Sequence, residues 1–411
     1  AVEAIKKAIQ DNRISMEAIN AKVKKILKAK AWVGLDRYQP IMIANLIADL
    51  TSVECEVVNQ TITQNSITCL KNDLNLLPIR DINSKIAVLS VGTDQISDFY
   101  RMVNNYAKAD YYSLSHNASD SLIESTFKQL GDYDVILAAV HLTDIRPPKK
   151  YGLISQNTKI IKRLAAIDKA ILSILGSPFV LTLLPELAQT KTLLMAYQQS
   201  SYTEAITPQV IFGAISTYGK LPMTFTDTFT QGKGIRLSEI GRLSYTIPEL
   251  VGINSTRLNL ALDSVIYAGM EAHAYPGCVV QIAKDGKVIF NKAYGYHTYE
   301  DWPDRLMEDA KNNHIGGFID DAMDNDMKNY SKPITPKGSE NPANIPGKTL
   351  TTDLYDLASL TKIMASAPVM MTLVSEGKID INQKMESVIP SLNGSPLGSI
   401  TFRDAMTHRA G

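Results

Sequence analysis

Between Lys85 and Tyr197 the chain alternates short, uninterrupted apolar runs with stretches of helical period, and this alternation limits the possible folds more than any other feature. Lys85-Ile86-Ala87-Val88-Leu89-Ser90-Val91-Gly92 reads as a strand buried on both faces, since a strand with one wet face would alternate polar and apolar residues. A helical stretch through Tyr106 follows, then the shorter strand Tyr111-Tyr112-Ser113-Leu114, a helix through Leu130 and the apolar strand Asp134 to Val140. The next helix is expected to carry Ile161, Leu164, Ala165, Ile171, Leu172 and Leu175, and the runs Pro178 to Leu184 and Thr192 to Tyr197 continue the series. Strands separated by helices of ten or more residues require crossover connections, so the sheet is mainly parallel and covered on both sides. The fold class is therefore α/β over residues 36–243, with the N-terminal helix expected to pack onto this domain.

Bulk properties narrow the function. With 411 residues, 45% hydrophobic and 20% charged, the chain can bury large cores and should hold two or three domains. Its 42 basic and 42 acidic residues cancel, which argues against a nucleic-acid partner. Near the N-terminus Ser15 reads as the cap of a helix with Ile19, Val23, Ile26 and Leu27 on one face. Lys22, Lys24, Lys25, Lys28 and Lys30 fill the remainder without interleaved aromatics, as on a solvated face. Residues 1–31 lack the marks of a signal peptide, and no apolar run reaches the length of a membrane span. Three scattered cysteines make no disulfide framework, the six histidines show no metal-ligand spacing, and no phosphate-binding glycine loop appears. A hydrolase without cofactor or metal is the class these facts leave.

Chemistry concentrates at Ser359-Leu360-Thr361-Lys362, where an extended segment turns into a helix. A serine hydroxyl attacks only when something takes its proton, and a lysine three residues on lies on the same helical face. Held neutral by burial or a neighbouring cation, that lysine can be the base. Ser125-Thr126-Phe127-Lys128 fits the same formula inside an ordinary amphipathic helix, so context must separate the two. After Ser359 come Leu360, Ile363, Met364, Ala367, Met371 and Val374 at helical spacing, with Pro368 interrupting the helix and Gly377 closing it. Before it, Gly277 to Phe290 reads as a hairpin turning at Asp285-Gly286.

This succession, together with Glu376 to Ile381, Val388 to Leu392 and Ile400 to Gly411, resembles the serine β-lactamase and penicillin-binding-protein-like family in its class C and esterase branch. The resemblance covers residues 250–411 and implies Ser359 as the acylated nucleophile and Lys362 as its base. It also implies a second catalytic block and a late Lys-Thr-Gly or His-Thr-Gly strand. Neither is found before Gly411, so the chain is expected to be a fragment that is itself inactive.

Ser66 to Pro78, then Phe212 to Phe225 and Gly232-Lys233-Gly234, resemble in the same order the C-terminal α/β-sandwich domain of glycoside hydrolase family 3. The lysine-rich first helix is similar to the last helix of that family's catalytic barrel. The resemblance divides the chain into 1–35 (terminal helix of the barrel), 36–245 (sandwich) and 246–411 (the first half of an α+β β-lactamase-like domain), with 244–258 as linker and 303–348 as an insertion. A short helix is expected in that insertion, near Ile319 to Met327. In one branch of the family a sandwich-domain glutamate acts as the acid. Glu186 and Glu204 are the residues to inspect, although a surface or helix-start role fits each better. The order barrel, sandwich, serine hydrolase resembles bacterial fusions of a β-N-acetylglucosaminidase with a β-lactamase-like domain. It implies salvage of peptidoglycan fragments in the periplasm or cell envelope, with a glycan or muropeptide as substrate. The alternatives are a β-lactamase or D-Ala peptidase or esterase, and a non-catalytic scaffold or glycan-binding domain.

Overall fold

The computed structural model describes residues 2–40, 43–302 and 347–410; the expected insertion helix near 319–327 lies outside them. The chain divides into two compact units, Ala1–Lys348 and Thr349–Gly411. The first opens with helices α1 (Val2–Gln10), α2 (Met16–Trp32), α3 (Leu46–Leu50) and α4 (Val53–Ser66). A six-stranded sheet follows, built from β1 (Thr68–Asn72), β2 (Ile86–Val91), β3 (Ala109–Leu114), β4 (Val135–His141), β5 (Ala170–Leu175) and β6 (Thr192–Met195). Between its strands run α5 (Asp98–Asn104), α6 (Asp120–Leu130), α7 (Ser155–Ala165) and the single turn α8 (Val180–Leu183), with α9 (Ser201–Ile211) after β6. The strand order is β1-β6-β5-β4-β2-β3, parallel except for β1 against β6.

Period-two alternation divides each central strand between two cores. On β2 and β4, Ala87, Leu89, Val91, Ile136, Ala138 and Val140 pack beneath α6 and α7, with Ile123, Phe127, Ile160 and Leu164. Ile86, Val88, Leu137 and Ala139 turn to the other face, beneath α5 and α9, with Phe99, Val103, Ile206 and Val210. The doubly covered parallel sheet expected from the sequence is the fold observed.

Three local expectations need correction. Ile171, Leu172 and Leu175 belong to strand β5 rather than to the preceding helix, which ends at Ala165. The apolar run after Pro178 forms the turn α8 instead of a strand. A short apolar run has no periodicity that separates a buried strand from a buried helix. Ser15 does cap α2, its hydroxyl accepting from the Ala18 N–H at 3.1 Å, but α2 buries none of its residues. Val23, Ile26 and Leu27 are all exposed, so the N-terminal helix does not lay its stripe on the sandwich.

The expected linker is partly ordered into a second sheet. β7 (Ser244–Tyr245) pairs with β9 (Lys287–Gly295), which pairs antiparallel with β8 (Gly277–Lys284). Asp285 (φ 52°) and Gly286 (φ 73°) make the two-residue turn with both residues left-handed, as the Asp-Gly dipeptide predicts. Helix α10 (Ser255–Glu271) covers this hairpin with Ile266 and Met270 against Phe290 and Tyr294. The buried Asp263 carboxylate ties the layers together, accepting from Tyr294 Oη at 2.5 Å and Lys292 Nζ at 2.8 Å. The second unit holds α11 (Ala367–Ser375) and α12 (Phe402–Met406), the latter capped by Thr401, whose hydroxyl accepts from the Asp404 N–H.

The glycines at the end of the sandwich domain have a steric cause. Residues 217–221 run beside 232–237, with Leu221 N–H donating to Lys233 O at 2.9 Å, and the second segment reaches β1 through Ile235 N–H to Cys69 O at 2.7 Å. A Cβ on Gly219 would stand 2.2 Å from Ser66 O and 2.6 Å from Ile67 O; one on Gly234 would stand 2.2 Å from Gly219 O. These are backbone atoms and cannot step aside. Gly219→Ala should therefore cost about 3 kcal/mol, the upper end for overpacking, and lower the melting temperature by roughly 6–12 °C. Exposed Lys220→Ala should stay within about 0.5 kcal/mol. Thermal melts of the two variants followed by circular dichroism check this; equal melting temperatures would show that the ribbon can shift off β1.

Candidate functional site

In the second unit, the Asp356 carboxylate accepts from the Ala358 N–H at 2.9 Å and turns the chain into a 3-10 turn over Ala358–Leu360. Ala358 adopts φ +43°, a left-handed conformation that costs a non-glycine residue free energy and recurs where function fixes the backbone. Thr361 leads into a wide π turn, Lys362–Ser366, and then into α11. Across the first turn Lys362 Nζ donates to Ser359 Oγ at 3.2 Å. Among the described residues, each side chain is the other's hydrogen-bonding partner. This places a hydroxyl beside an amine at the start of a helical segment. At Ser125 the hydroxyl instead donates to Leu122 O at 3.0 Å within α6, so identical spacing there holds a serine satisfied by its own helix.

The surroundings of Ser359 are apolar and uncovered. Leu354 is 100% exposed, and Leu360, Ile363, Met364 and Met371 are also exposed. The stripe expected from the sequence is present, yet none of its members is buried among the described residues. Contrary to the expectation that no run reaches that length, the 18 residues Ala358–Ser375 are long and apolar enough to cross a membrane by length and composition alone. The segment is nonetheless broken into 3-10, π and α turns and carries Lys362.

The two glutamates of the sandwich domain part company. Glu186 opens a 3-10 turn and pairs with Lys162 at 2.7 Å, a helix-start role. Glu204 lies in the first turn of α9, as a helix-start residue would, but it is buried rather than at the surface. Its carboxylate accepts from the Asp98 N–H at 2.9 Å and Gln199 Nε2 at 2.8 Å, and lies 3.2 Å from His141 Nδ1. His141, the last residue of β4, was not singled out from the sequence; the signal was a polar residue directly after a fully apolar strand. Burial pushes the Glu204 carboxyl up, but the His141, Gln199 and Asp98 hydrogen bonds outweigh it and hold the group below its usual range. The cluster fastens the carboxyl end of β4 to α5 and α9. Burial pushes the Cys69 thiol up to about 12, which leaves no thiolate for chemistry. Among the described residues, no group of three His, Cys, Asp or Glu is arranged to hold a metal ion.

Comparison with known proteins assigns the two parts. Residues 67–263 match the Glycosyl hydrolase family 3 C-terminal domain, and residues 262–411 match the Beta-lactamase family. An N-acetylmuramyl-L-alanine amidase of Bacillus subtilis (strain 168) is 28% identical over 150 residues, 36% of this chain and 25% of that protein. A putative D-alanyl-D-alanine carboxypeptidase of Salmonella enteritidis PT4 is 28% identical over 164 residues, 40% of this chain and 29% of that protein. The chain thus spans between a quarter and a third of these curated relatives. Among solved structures, a glycoside hydrolase family 3 β-N-acetylglucosaminidase from Paenibacillus sp. str. FPU-7 is 18% identical, covering 55% of this chain and 43% of that one, with a TM-score of 0.38. A β-glucosidase from Listeria innocua is 18% identical, covering 54% and 34%, with a TM-score of 0.37.

The Glu204 cluster makes stability depend on pH in a defined direction. A carboxyl whose folded pKa is depressed adds stability above its unfolded pKa, about 4.3, and loses it as pH falls through the folded value. Asp98, raised by burial and then by Glu204, titrates in the opposite sense, so the wild-type profile is a difference of two terms. Glu204→Ala leaves the His141 and Gln199 donors and the Asp98 N–H unpaired and should cost about 3 kcal/mol at pH 7. The gap to wild type should close as pH falls below about 4. Urea melts of both proteins from pH 7 to pH 3 read it; a gap that persists at pH 3 would mean the carboxylate's charge is not what stabilises.

Proposed function

We propose that this chain, which joins a glycosyl hydrolase family 3 C-terminal domain to a β-lactamase-family domain, is part of a bifunctional cell-wall hydrolase in which Ser359 is the acylated nucleophile and Lys362 its base. The observation that carries the reading is the 3.2 Å contact between Lys362 Nζ and Ser359 Oγ, inside the segment that matches the Beta-lactamase family. In the proposed step Lys362, as the neutral amine, takes the hydroxyl proton as Oγ adds to the carbonyl carbon of an amide or ester. The tetrahedral intermediate collapses with the proton passed from Lys362 to the leaving amine or alcohol. Water, deprotonated in the same way, then releases the acid and restores Ser359.

The domain assignment proposed is a sandwich over 36–245 and the first half of a serine hydrolase over 246–411, with residues 1–35 closing a glycosidase barrel. Two relatives whose names specify peptidoglycan amide bonds support a muropeptide as the acyl substrate and a place in the bacterial cell envelope. The family 3 domain supports a glycan, and both bonds occur in one peptidoglycan fragment. The relative named as a carboxypeptidase favours a second reading, cleavage of a D-Ala peptide rather than of the bond from sugar to stem peptide.

In the full-length protein, Ser359→Ala should abolish turnover of a muropeptide amide while leaving hydrolysis of a chromogenic N-acetylglucosaminide within about twofold. Lys362→Ala should slow the amide reaction by about 10²–10⁴-fold, the worth of a general base. Product analysis by mass spectrometry on a muropeptide, a D-Ala-D-Ala peptide and a chromogenic cephalosporin separates the readings. Amide cleavage surviving in Ser359→Ala would end the proposal.

A further inference from the structure

Pro368 stands at the start of α11, six residues beyond Lys362. It has no N–H to give to Met364 O, and its ring crowds that carbonyl in a regular helix. The chain relieves the conflict by taking one extra residue into the turn. Ala367 N–H donates to Lys362 O, five residues back, and the span Lys362–Ser366 is a π turn. Beyond it the regular helix resumes, with Thr372 Oγ1 donating to Pro368 O at 3.1 Å. One residue is about 100° of helix rotation. The turn carrying Ser359 and Lys362 therefore faces about 100° away from where an unbroken helix would hold it relative to α11.

We infer that Pro368 is a positioning residue for acyl transfer: by enforcing the wide turn it sets the direction in which the Ser359–Lys362 pair faces from the body of α11. The inference rests on the reading of those two residues as nucleophile and base. Its physical content is a displacement. Rotating a helical residue by 100° about an axis 2.3 Å from its Cα moves that atom by about 3–4 Å. Misplacing reacting groups by about 1 Å already costs roughly 10²-fold in rate. The local contact between Lys362 and Ser359 survives such a rotation, since Ser359 precedes the wide turn and Lys362 is its first residue, ahead of the extra residue.

The test is Pro368→Ala in the full-length protein, which removes the reason for the wide turn and restores an N–H to the helix. Acylation by p-nitrophenyl acetate is followed at saturating and subsaturating ester, with the adduct located by mass spectrometry and a thermal melt recorded for each protein. The limiting acylation rate should fall at least 10²-fold, with a smaller change in ester affinity and a melting temperature equal to or above wild type. Acylation within twofold of wild type overturns the inference, and so does a loss of rate that comes only with a lowered melting temperature. A wild-type protein that forms no adduct at Ser359, with Ser359→Ala as reference, would instead remove the functional reading and this inference with it.

Discussion

Strands β2 and β5 are buried along their whole length and β4 along all but Val135, and the layering of the sandwich answers to that burial. A backbone removed from water on both faces can pair only with neighbouring strands, because an unpaired buried amide costs about 1–3 kcal/mol. Parallel pairing then demands long crossovers, and the crossovers supply the helices that dry both faces. The period-two division of Ile86–Val91 between two cores is the same constraint seen at the level of single side chains. At the edge strand β1 the demand is met by backbone rather than helix. Cys69 O takes the Ile235 N–H, and the approach is close enough that only glycine fits at 219 and 234.

How far the sequence disclosed this fold depends on what each segment had to distinguish itself from. The strands β2 and β4 were legible because continuous apolar runs of six or seven residues between amphipathic helices have few other solutions. The boundary between α7 and β5 was not, since Ile161 to Leu175 offers apolar residues throughout and a buried helix presents the same string as a buried strand. The turn at Asp285-Gly286 was legible because the dipeptide alone meets the demand for two left-handed residues. β7 was hidden in a segment read as linker, because two residues carry no period and its pairing depends on Val288, more than forty positions away.

Side-chain sites divide along the same line. Ser359 and Lys362 were visible because their interaction is local, one turn apart on one helix. His141 and Glu204 lie far apart in sequence and meet only because β4 ends beside the start of α9, so no spacing rule points to them. Burial changed the meaning of Glu204 as well: the position is a helix start, but its donors are His141, Gln199 and the Asp98 backbone, a set assembled by tertiary structure.

The contact between Lys362 and Ser359 has an orientation that matters. As it stands the amine donates to the hydroxyl oxygen, whereas a base must accept from it. The reversal requires the neutral amine, and the ways a protein favours that form are removal from water or a nearby positive charge. Lys362 is exposed among the described residues, and the apolar side chains about it, Leu360, Ile363 and Met364, are exposed with it. The contact therefore gives the distance that the proposed acyl transfer needs, while the direction of the proton would follow from taking the amine out of water.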